Sequence, residues 1–240
     1  MLACMLRCVT TNQDMAKQLT QELALTSAPV GLAFTADPLP GVQRVAAAAP
    51  AGCAYWKHAA SGELFYTTGS DHLGCPIGAY THGAELGPDD RTSLMTMIGM
   101  MAGAGYLSES EVPSIAKRDA KLSTLTYGPL ERMPCAADVV LIRTRPRSAM
   151  LLTEATHAAG VRSDVAAVIR PACAMIPQVT ATQRATTSFG CIGNRVYTEL
   201  PDDEVWVALT GEELPVVLAR LMTLAQANRD LETFHRARLS

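Results

Sequence analysis

A glycine–cysteine step occurs three times in this chain, and two of these steps end units with the same plan. In each unit a cysteine precedes a short helical stretch, then a strand, then a Gly-Cys step. The first unit runs from Cys53 to Cys75 and the second from Cys173 to Cys191, separations of 22 (75 − 53) and 18 (191 − 173) positions. We expect the two units to bring four thiols to one place.

Residues 71–83 concentrate reactive groups, with one thiol, two imidazoles, a carboxylate and three glycines in thirteen positions. Pro76 follows Cys75 directly, and proline is favoured in the first turn of a helix. Cys75 is therefore expected near the positive end of a helix. The two imidazoles belong to His72 and His82.

The composition is that of a globular protein. The 240 residues are 48% hydrophobic and 18% charged, unlike a disordered chain. The net charge is −3, with both signs interspersed, so neither a nucleic-acid nor a membrane-binding surface is expected. Sixteen arginines against four lysines suggest GC-rich coding and a bacterial source.

The chain is expected to be cytoplasmic. Its longest uncharged apolar run without proline, residues 93–107, is too short and glycine-rich to span a bilayer. Arg7 interrupts the apolar N-terminus, which also lacks the small-residue exit of a signal peptide. Seven cysteines in a reducing compartment are more often ligands or nucleophiles than cross-links.

Hydrophobic patterning predicts an α+β fold, a single domain in which flanking helices cover a mixed sheet. The expected strands are residues 29–34, 63–68, 124–127, 138–142, 165–169, 186–189 and 205–209. The expected helices are residues 53–60, 88–102 and 146–159, one beginning at Thr11-Asn12, and one from residue 212 onward. Residues 108–122 are polar and irregular, and no linker divides the chain.

Apolar side chains predict which helix faces are buried. In the helix of residues 88–102 the expected face contains Leu94, Met95, Ile98, Met101 and Ala102. The terminal helix should bury Leu214, Val217, Leu218, Leu221, Met222 and Leu224. Gly99, Gly103 and Gly105 resemble a phosphate loop only superficially, because no strand precedes them and no lysine follows; close helix packing is expected instead.

Several motifs resemble the DUF169 family. They are Gly52-Cys53-Ala54-Tyr55-Trp56, Phe65-Tyr66-Thr67-Thr68, residues 71–82, Asp138-Val139-Val140-Leu141, Ala149-Met150-Leu151-Leu152 and residues 188–195. The resemblance runs from about residue 29 to residue 239. It implies a DUF169-like domain over residues 11–240 with an N-terminal extension at 1–10, and it implies that the cysteine-bearing segments are family features. It implies no activity.

The four cysteines of the two units could hold an iron–sulfur cluster. A [4Fe–4S] cluster takes four ligands, usually thiolates, and tolerates wide spacing along the chain. Glycines beside the thiols would let backbone N–H groups approach the sulfides. The predicted metal ligands are Cys53, Cys75, Cys173 and Cys191, and the predicted supporting residues are Gly52, Gly74, Gly190, Gly193 and Arg195.

Three alternatives stay open. Structural zinc sites use tight cysteine pairs, and the nearest candidates are Cys4 with Cys8, or His72, Cys75 and His82. Cys75 could be a nucleophile with a histidine as its base. The cysteines could instead be buried apolar side chains, in a cofactor-free protein that binds a small molecule.

Other polar residues have simpler interpretations. Cys135 lies between a proline and an alanine and is expected to be a plain core or loop thiol. His58 and His157 are expected as partly exposed helical residues, with Glu154 one turn from His157. Arg195 is expected after a turn at Gly193-Asn194, where it could neutralise a cluster or an anionic substrate.

The sequence therefore predicts a cluster-binding protein with a redox or sulfur-handling role on a small molecule. Whether it is an enzyme stays undecided. Its expected partners are a small-molecule substrate or a redox protein, and a homo-oligomer is compatible with the sequence.

Overall fold

The computed structural model describes the backbone of residues 2–164 and 171–239, and the side chains of those residues from 11 onward other than 109 and 164. One mixed sheet of eight strands organises the described chain, in the order β2-β3-β4-β1-β5-β8-β7-β6. The strands are β1 (Val30–Thr35), β2 (Gln43–Arg44), β3 (Phe65–Thr68), β4 (Thr124–Pro129), β5 (Val139–Thr144), β6 (Ser163–Asp164), β7 (Ala185–Ser188) and β8 (Val205–Thr210).

Helices cover both faces of this sheet. Within the described residues they are α1 (Leu2–Leu23), α2 (Ala54–Ala60), α3 (Pro76–His82), α4 (Pro88–Gly103), α5 (Pro146–Ala158), α6 (Met175–Thr182), α7 (Ile192–Thr198) and α8 (Leu214–Arg236). Side chains of α1, α5 and α8 form the core on one face of the sheet. Those of α2 and α6 form the core on the other face, which includes Cys53 and Cys173 and has Cys75 packed against it. The predicted α+β fold with a mixed sheet is confirmed.

The central strands are buried on both faces because their sequences are almost entirely apolar. β5 lies between β1 and β8, with Val140 opposite Gly31 on one side and Leu209 on the other. Its side chains contribute alternately to the two cores, Leu141 to one and Val140 to the other. Burial of each such side chain contributes about 1.5–3 kcal/mol.

The two halves of the sheet repeat the same arrangement. The first half contains β1 to β4 and the second contains β5 to β8. From the edge of the sheet to its centre, the order is β2-β3-β4-β1 in the first half and β6-β7-β8-β5 in the second. In both halves the short edge strand pairs parallel with its neighbour and the other pairings are antiparallel. The halves meet at the β1–β5 pair, which relates them by an approximate twofold arrangement.

The helices follow this repeat as well. α2 lies between β2 and β3 as α6 lies between β6 and β7, and α3 follows β3 as α7 follows β7. Cys53 therefore corresponds in position to Cys173, and Cys75 to Cys191. The halves differ most between their third and fourth strands, because the first half has an additional segment there that contains α4.

Some local predictions were wrong. The first helix, α1, begins at Leu2, so Thr11 and Asn12 lie inside it and not at its start. The buried Asn12 amide donates hydrogen bonds to the carbonyl oxygens of Met133 (3.2 Å) and Cys135 (3.0 Å). Met222, which was predicted on the buried face of α8, is 49% exposed. Ala225 is buried on that face instead. The predicted strand at 165–169 lies outside the described residues.

The helix α4 also differs from its prediction. Leu94 and Ile98 are buried as expected, but Met95 is 62% exposed. A Cβ added at Gly99 or Gly103 would meet nothing within 4 Å, so neither glycine packs closely against another element. α4 is therefore an apolar helix that the main core covers only in part.

None of the helices in the described part of the chain combines the length and the apolar character needed to cross a membrane.

Candidate functional site

The four unit cysteines line a single cavity of about 630 Å³. Three of them, Cys53, Cys75 and Cys191, occupy the residue before the first turn of α2, α3 and α7. Cys173 lies in the 3-10 turn Ala172–Ala174 that leads into α6. All four residues of the predicted ligand set thus border the same cavity.

The chain folds sharply at each of these helix starts. Pro76 occupies the first helical position of α3, where its fixed φ suits the helix and its missing N–H costs nothing. Gly190 precedes Cys191 with φ +79°, a left-handed conformation that glycine adopts without strain. The expected turn at Gly193-Asn194 was wrong, because both residues belong to the first turn of α7.

The thiols lie close enough to influence one another electrostatically. Burial raises the pKa of Cys53, and with the smaller effects of the neighbouring Cys191 and Cys75 the pKa reaches about 12. Burial also raises the pKa of Cys173 well above its usual value, against the effect of a hydrogen bond from the Thr81 hydroxyl to its Sγ (3.3 Å). Without a bound cation these two buried side chains are neutral thiols at physiological pH.

Asn194 is a site residue that the sequence reasoning did not single out as a ligand-binding group. Its side chain is buried in the cavity wall, and neither its amide nitrogen nor its carbonyl oxygen makes a hydrogen bond of ordinary geometry. The amide is nevertheless near enough to Cys53 to hydrogen-bond its thiolate form, and so it opposes the rise in the pKa of Cys53. A buried amide without a well-formed hydrogen bond is costly, so the Cys53 thiolate or a group bound in the cavity would stabilise it.

His72 and His82 lie side by side, with ring centroids 5.3 Å apart, but neither lines the cavity. His72 Nε2 lies 2.9 Å from the Thr67 hydroxyl, and His82 Nδ1 lies 2.8 Å from the carbonyl oxygen of Gly78. The other ring nitrogen of each has no partner. Burial lowers the pKa of His72 to about 3 and that of His82 to about 4, so both are neutral.

The carboxylate in residues 71–83, that of Asp71, makes hydrogen bonds within the protein. Asp71 accepts hydrogen bonds from Arg44 (2.9 Å) and from the backbone N–H of Thr68 (2.8 Å). Burial alone would raise the pKa of Asp71, but the bonds from Arg44 and Thr68 outweigh burial and lower it. These contacts hold the turn between β3 and Cys75.

The glycines beside the thiols are constrained by packing. A Cβ at Gly52 would lie 2.6 Å from His72 Nδ1, and one at Gly74 would lie 2.9 Å from the carbonyl oxygens of Ala49 and Pro50. At Gly190 it would lie 2.9 Å from Asn194 Oδ1, whereas at Gly193 it would meet only the Tyr197 ring, at 3.6 Å. Gly52, Gly74 and Gly193 line the cavity.

Gly52→Ala is expected to destabilise the fold by about 1–3 kcal/mol, because the new methyl group overlaps the buried His72 ring. Gly99→Ala is the control: it adds a methyl group into open space on a helix and should stabilise by up to about 1 kcal/mol. Urea unfolding of both variants measures the difference. A Gly52→Ala protein as stable as the parent would mean that the His72 ring is not fixed against residue 52.

Other predicted residues lie away from the cavity. The Arg195 guanidinium donates to the carbonyl oxygen of Pro201 (3.1 Å) and lies 3.5 Å from Asp202, so the structure does not place it against the thiols. Cys135 is not among the lining residues. The exposed His58 pairs with Glu63 (3.0 Å) and the exposed His157 lies in the last turn of α5, in agreement with the simpler interpretation.

A single metal ion does not fit the described side chains. Among them, no group of three or more His, Cys, Asp or Glu residues is close enough to hold an ion. The zinc alternative based on His72, Cys75 and His82 is therefore not formed in the described chain, and the side chains of Cys4 and Cys8 lie outside it.

Comparison with known proteins supplies the family. A search of curated proteins found no significant match, and a search of solved structures also found none. Residues 18–220 match the DUF169 family, described as uncharacterised ArCR. This match includes β1 to β8 and all four cavity cysteines. The chain belongs to the DUF169 family.

Proposed function

We propose that Cys53, Cys75, Cys173 and Cys191 hold a [4Fe–4S] cluster that serves a redox or sulfur-handling role on a small molecule. The observation that carries this proposal is that four cysteines, distant in the sequence, line one cavity. Four thiolates are the usual ligand set of such a cluster.

A cluster and a single ion require different spacings of their cysteine ligands. Four sulfurs bound at about 2.3 Å to one tetrahedral ion lie only about 3.8 Å apart. The described residues include no group that tight, yet all four thiols border the same space. A cubane bound between them would place its ligands farther apart, so the lack of a tighter group is compatible with a cluster.

The buried thiols of the site need a bound cation in order to ionise. Burial raises the pKa of Cys53 and Cys173, so neither thiol ionises easily on its own. Iron would supply the positive charge that makes four neighbouring thiolates favourable. The unpartnered Asn194 amide could then donate a hydrogen bond to a sulfur at the site.

An absorption spectrum of the anaerobically purified chain tests the proposal. A broad band near 400 nm is expected, with about four irons and four sulfides per chain. Colourless protein without iron, both as isolated and after anaerobic reconstitution with iron and sulfide, would contradict it. Aerobic preparation is unsuitable because oxygen can oxidise the thiols.

A cofactor-free protein that binds a small molecule is the second candidate. The cavity volume of about 630 Å³ is typical of small-molecule sites, which favours this function if iron is absent. A thiol enzyme based on Cys75 has less support, because no histidine occurs among the described residues that line the cavity.

We also propose a cytoplasmic location, where buried thiols stay reduced and available to iron. The partners would be a small-molecule substrate or a redox protein, and a second copy of the chain is a further possible partner. The net charge of −3 gives no reason to expect nucleic acid among them.

A further inference from the structure

One wall of the thiol cavity is apolar and comes from α4 and the segment that follows it. Met97, Ile98 and Met101 line it from α4, and Leu107, Val112 and Ile115 line it from the following segment. No aspartate, glutamate, lysine, arginine or histidine occurs among the lining residues in the described ranges. A charged ligand would find no compensating partner among these described lining residues, which is costly.

This wall belongs to the part of the fold that departs from the internal repeat. Between the third and fourth strands, the second half has only α7 and a short loop, whereas the first half has α3, α4 and a 3-10 turn at Glu109–Ser114. α4 packs against α3 and that turn. The central sheet does not need α4 to complete its pairing, so the wall adds a surface to a thiol site that the repeat already builds.

The rest of the cavity lining includes more polar groups. They are the four thiols, the Asn194 amide and the Thr81 hydroxyl that donates a hydrogen bond to Cys173. A molecule that fills the cavity would therefore place one uncharged polar end beside the thiols and an apolar body against α4. Methionine side chains are flexible and polarizable, and they adapt to apolar ligands of varied shape.

From this asymmetry we infer that the cavity binds an uncharged, largely apolar organic molecule with one polar end. Its status as the substrate presented to the cluster rests on the function proposed above. The binding itself depends on the cavity wall and is measurable with or without iron.

A competition experiment tests the inference. Straight-chain alcohols are added to the anaerobically purified chain with the uncharged dye Nile red bound, and the displaced dye is measured. Affinity should rise roughly fourfold for each added methylene, the factor that corresponds to about 0.8 kcal/mol of apolar burial. Carboxylates of the same chain length should bind at least about tenfold more weakly, because no lining residue in the described ranges is a cation. Equal affinity for acids and alcohols, or no dependence on chain length, would overturn it.

A pair of lysine substitutions on the same helix locates the binding. Met97→Lys puts an ammonium group on the cavity wall and should weaken alcohol binding by at least about tenfold. Met95→Lys, at a residue that is 62% exposed and does not line the cavity, should leave it unchanged. Circular dichroism checks that both fold, and Met97→Leu should bind like the parent even if Met97→Lys unfolds. Equal effects of the two lysines, or loss of binding in Met97→Leu, would contradict the assignment.

Iron content separates this inference from the proposed function. If the alcohols bind and no iron is ever found, the ligand class stands and the cluster fails. If iron is bound and no alcohol displaces the dye, the ligand class fails and the cluster stands.

Discussion

Cys75→Ser is expected to reduce bound iron from about four per chain to less than one, and to abolish the absorption band near 400 nm. Cys75 lines the cavity with the other three cysteines, and a serine hydroxyl is a poor substitute for a thiolate ligand. Because metal that binds only the native state stabilises it, losing the cluster should lower stability. The free energy of unfolding should fall by about 3 kcal/mol, which is the stabilisation that a ligand gives at a hundred times its Kd.

Cys135→Ser is the matched control, because Cys135 is a cysteine outside the cavity lining. It should keep its iron and colour, at a cost of about 0.5–3 kcal/mol. Iron analysis and thermal melts under anaerobic conditions measure both variants. Equal iron in the parent and Cys75→Ser would remove Cys75 from the ligand set.

Acid is expected to destabilise the fold through the buried histidine pair. The folded pKa values of His72 and His82, about 3 and about 4, lie below the ordinary value of 6.5. Below pH 6.5 the unfolded chain therefore binds protons that the folded chain does not, and stability falls as the pH decreases towards 4. The two residues together should lower the free energy of unfolding by about 3–4 kcal/mol between pH 7 and pH 5.

One substitution isolates this effect. His82→Asn removes the titrating group but keeps a side-chain amide that can donate to the carbonyl oxygen of Gly78, so about 2 kcal/mol of the acid-induced loss should disappear. The control is His58→Gln, at an exposed residue outside the buried pair, and it should keep the loss that comes from His72 and His82. Urea unfolding at pH 7, 6 and 5 measures the slopes. Parallel slopes for the parent and His82→Asn would show that His82 titrates normally in the fold.

Much of the fold was predictable because its strands and helices have strong local patterns. β5 and β8 are short apolar runs bounded by polar or turn residues, and both are strands. Pro76 and Gly83 bracket α3, and the C-terminal glycine has φ +76° as a helix end requires. The paired order of cysteine, helix, strand and Gly-Cys was also visible, since it depends only on position along the chain.

The rest depends on tertiary packing. β2 and β6 have two residues each and form by pairing with a longer strand, so no local pattern predicts them. The same lack of a local pattern hid the approximate twofold arrangement of the sheet. Met95 and Met222 have apolar side chains but face away from the core, because the neighbouring elements do not cover those positions.

The site was predicted in its thiols but not in its surroundings. The four cysteine positions were predicted from the two units in the sequence. The apolar wall was not, because it comes from α4, a helix that was expected to bury its glycines. Asn194 became a candidate only when α7 placed its amide in the cavity without a partner. Arg195, its neighbour, points instead to the loop at Pro201.

Anomalous scattering at the iron edge, from crystals grown without oxygen, would locate the iron directly. We expect one compact iron peak inside the cavity, in contact with the Sγ atoms of Cys53, Cys75, Cys173 and Cys191. Crystals of reconstituted protein with no iron peak in this cavity, or with iron bound elsewhere in the chain, would contradict it.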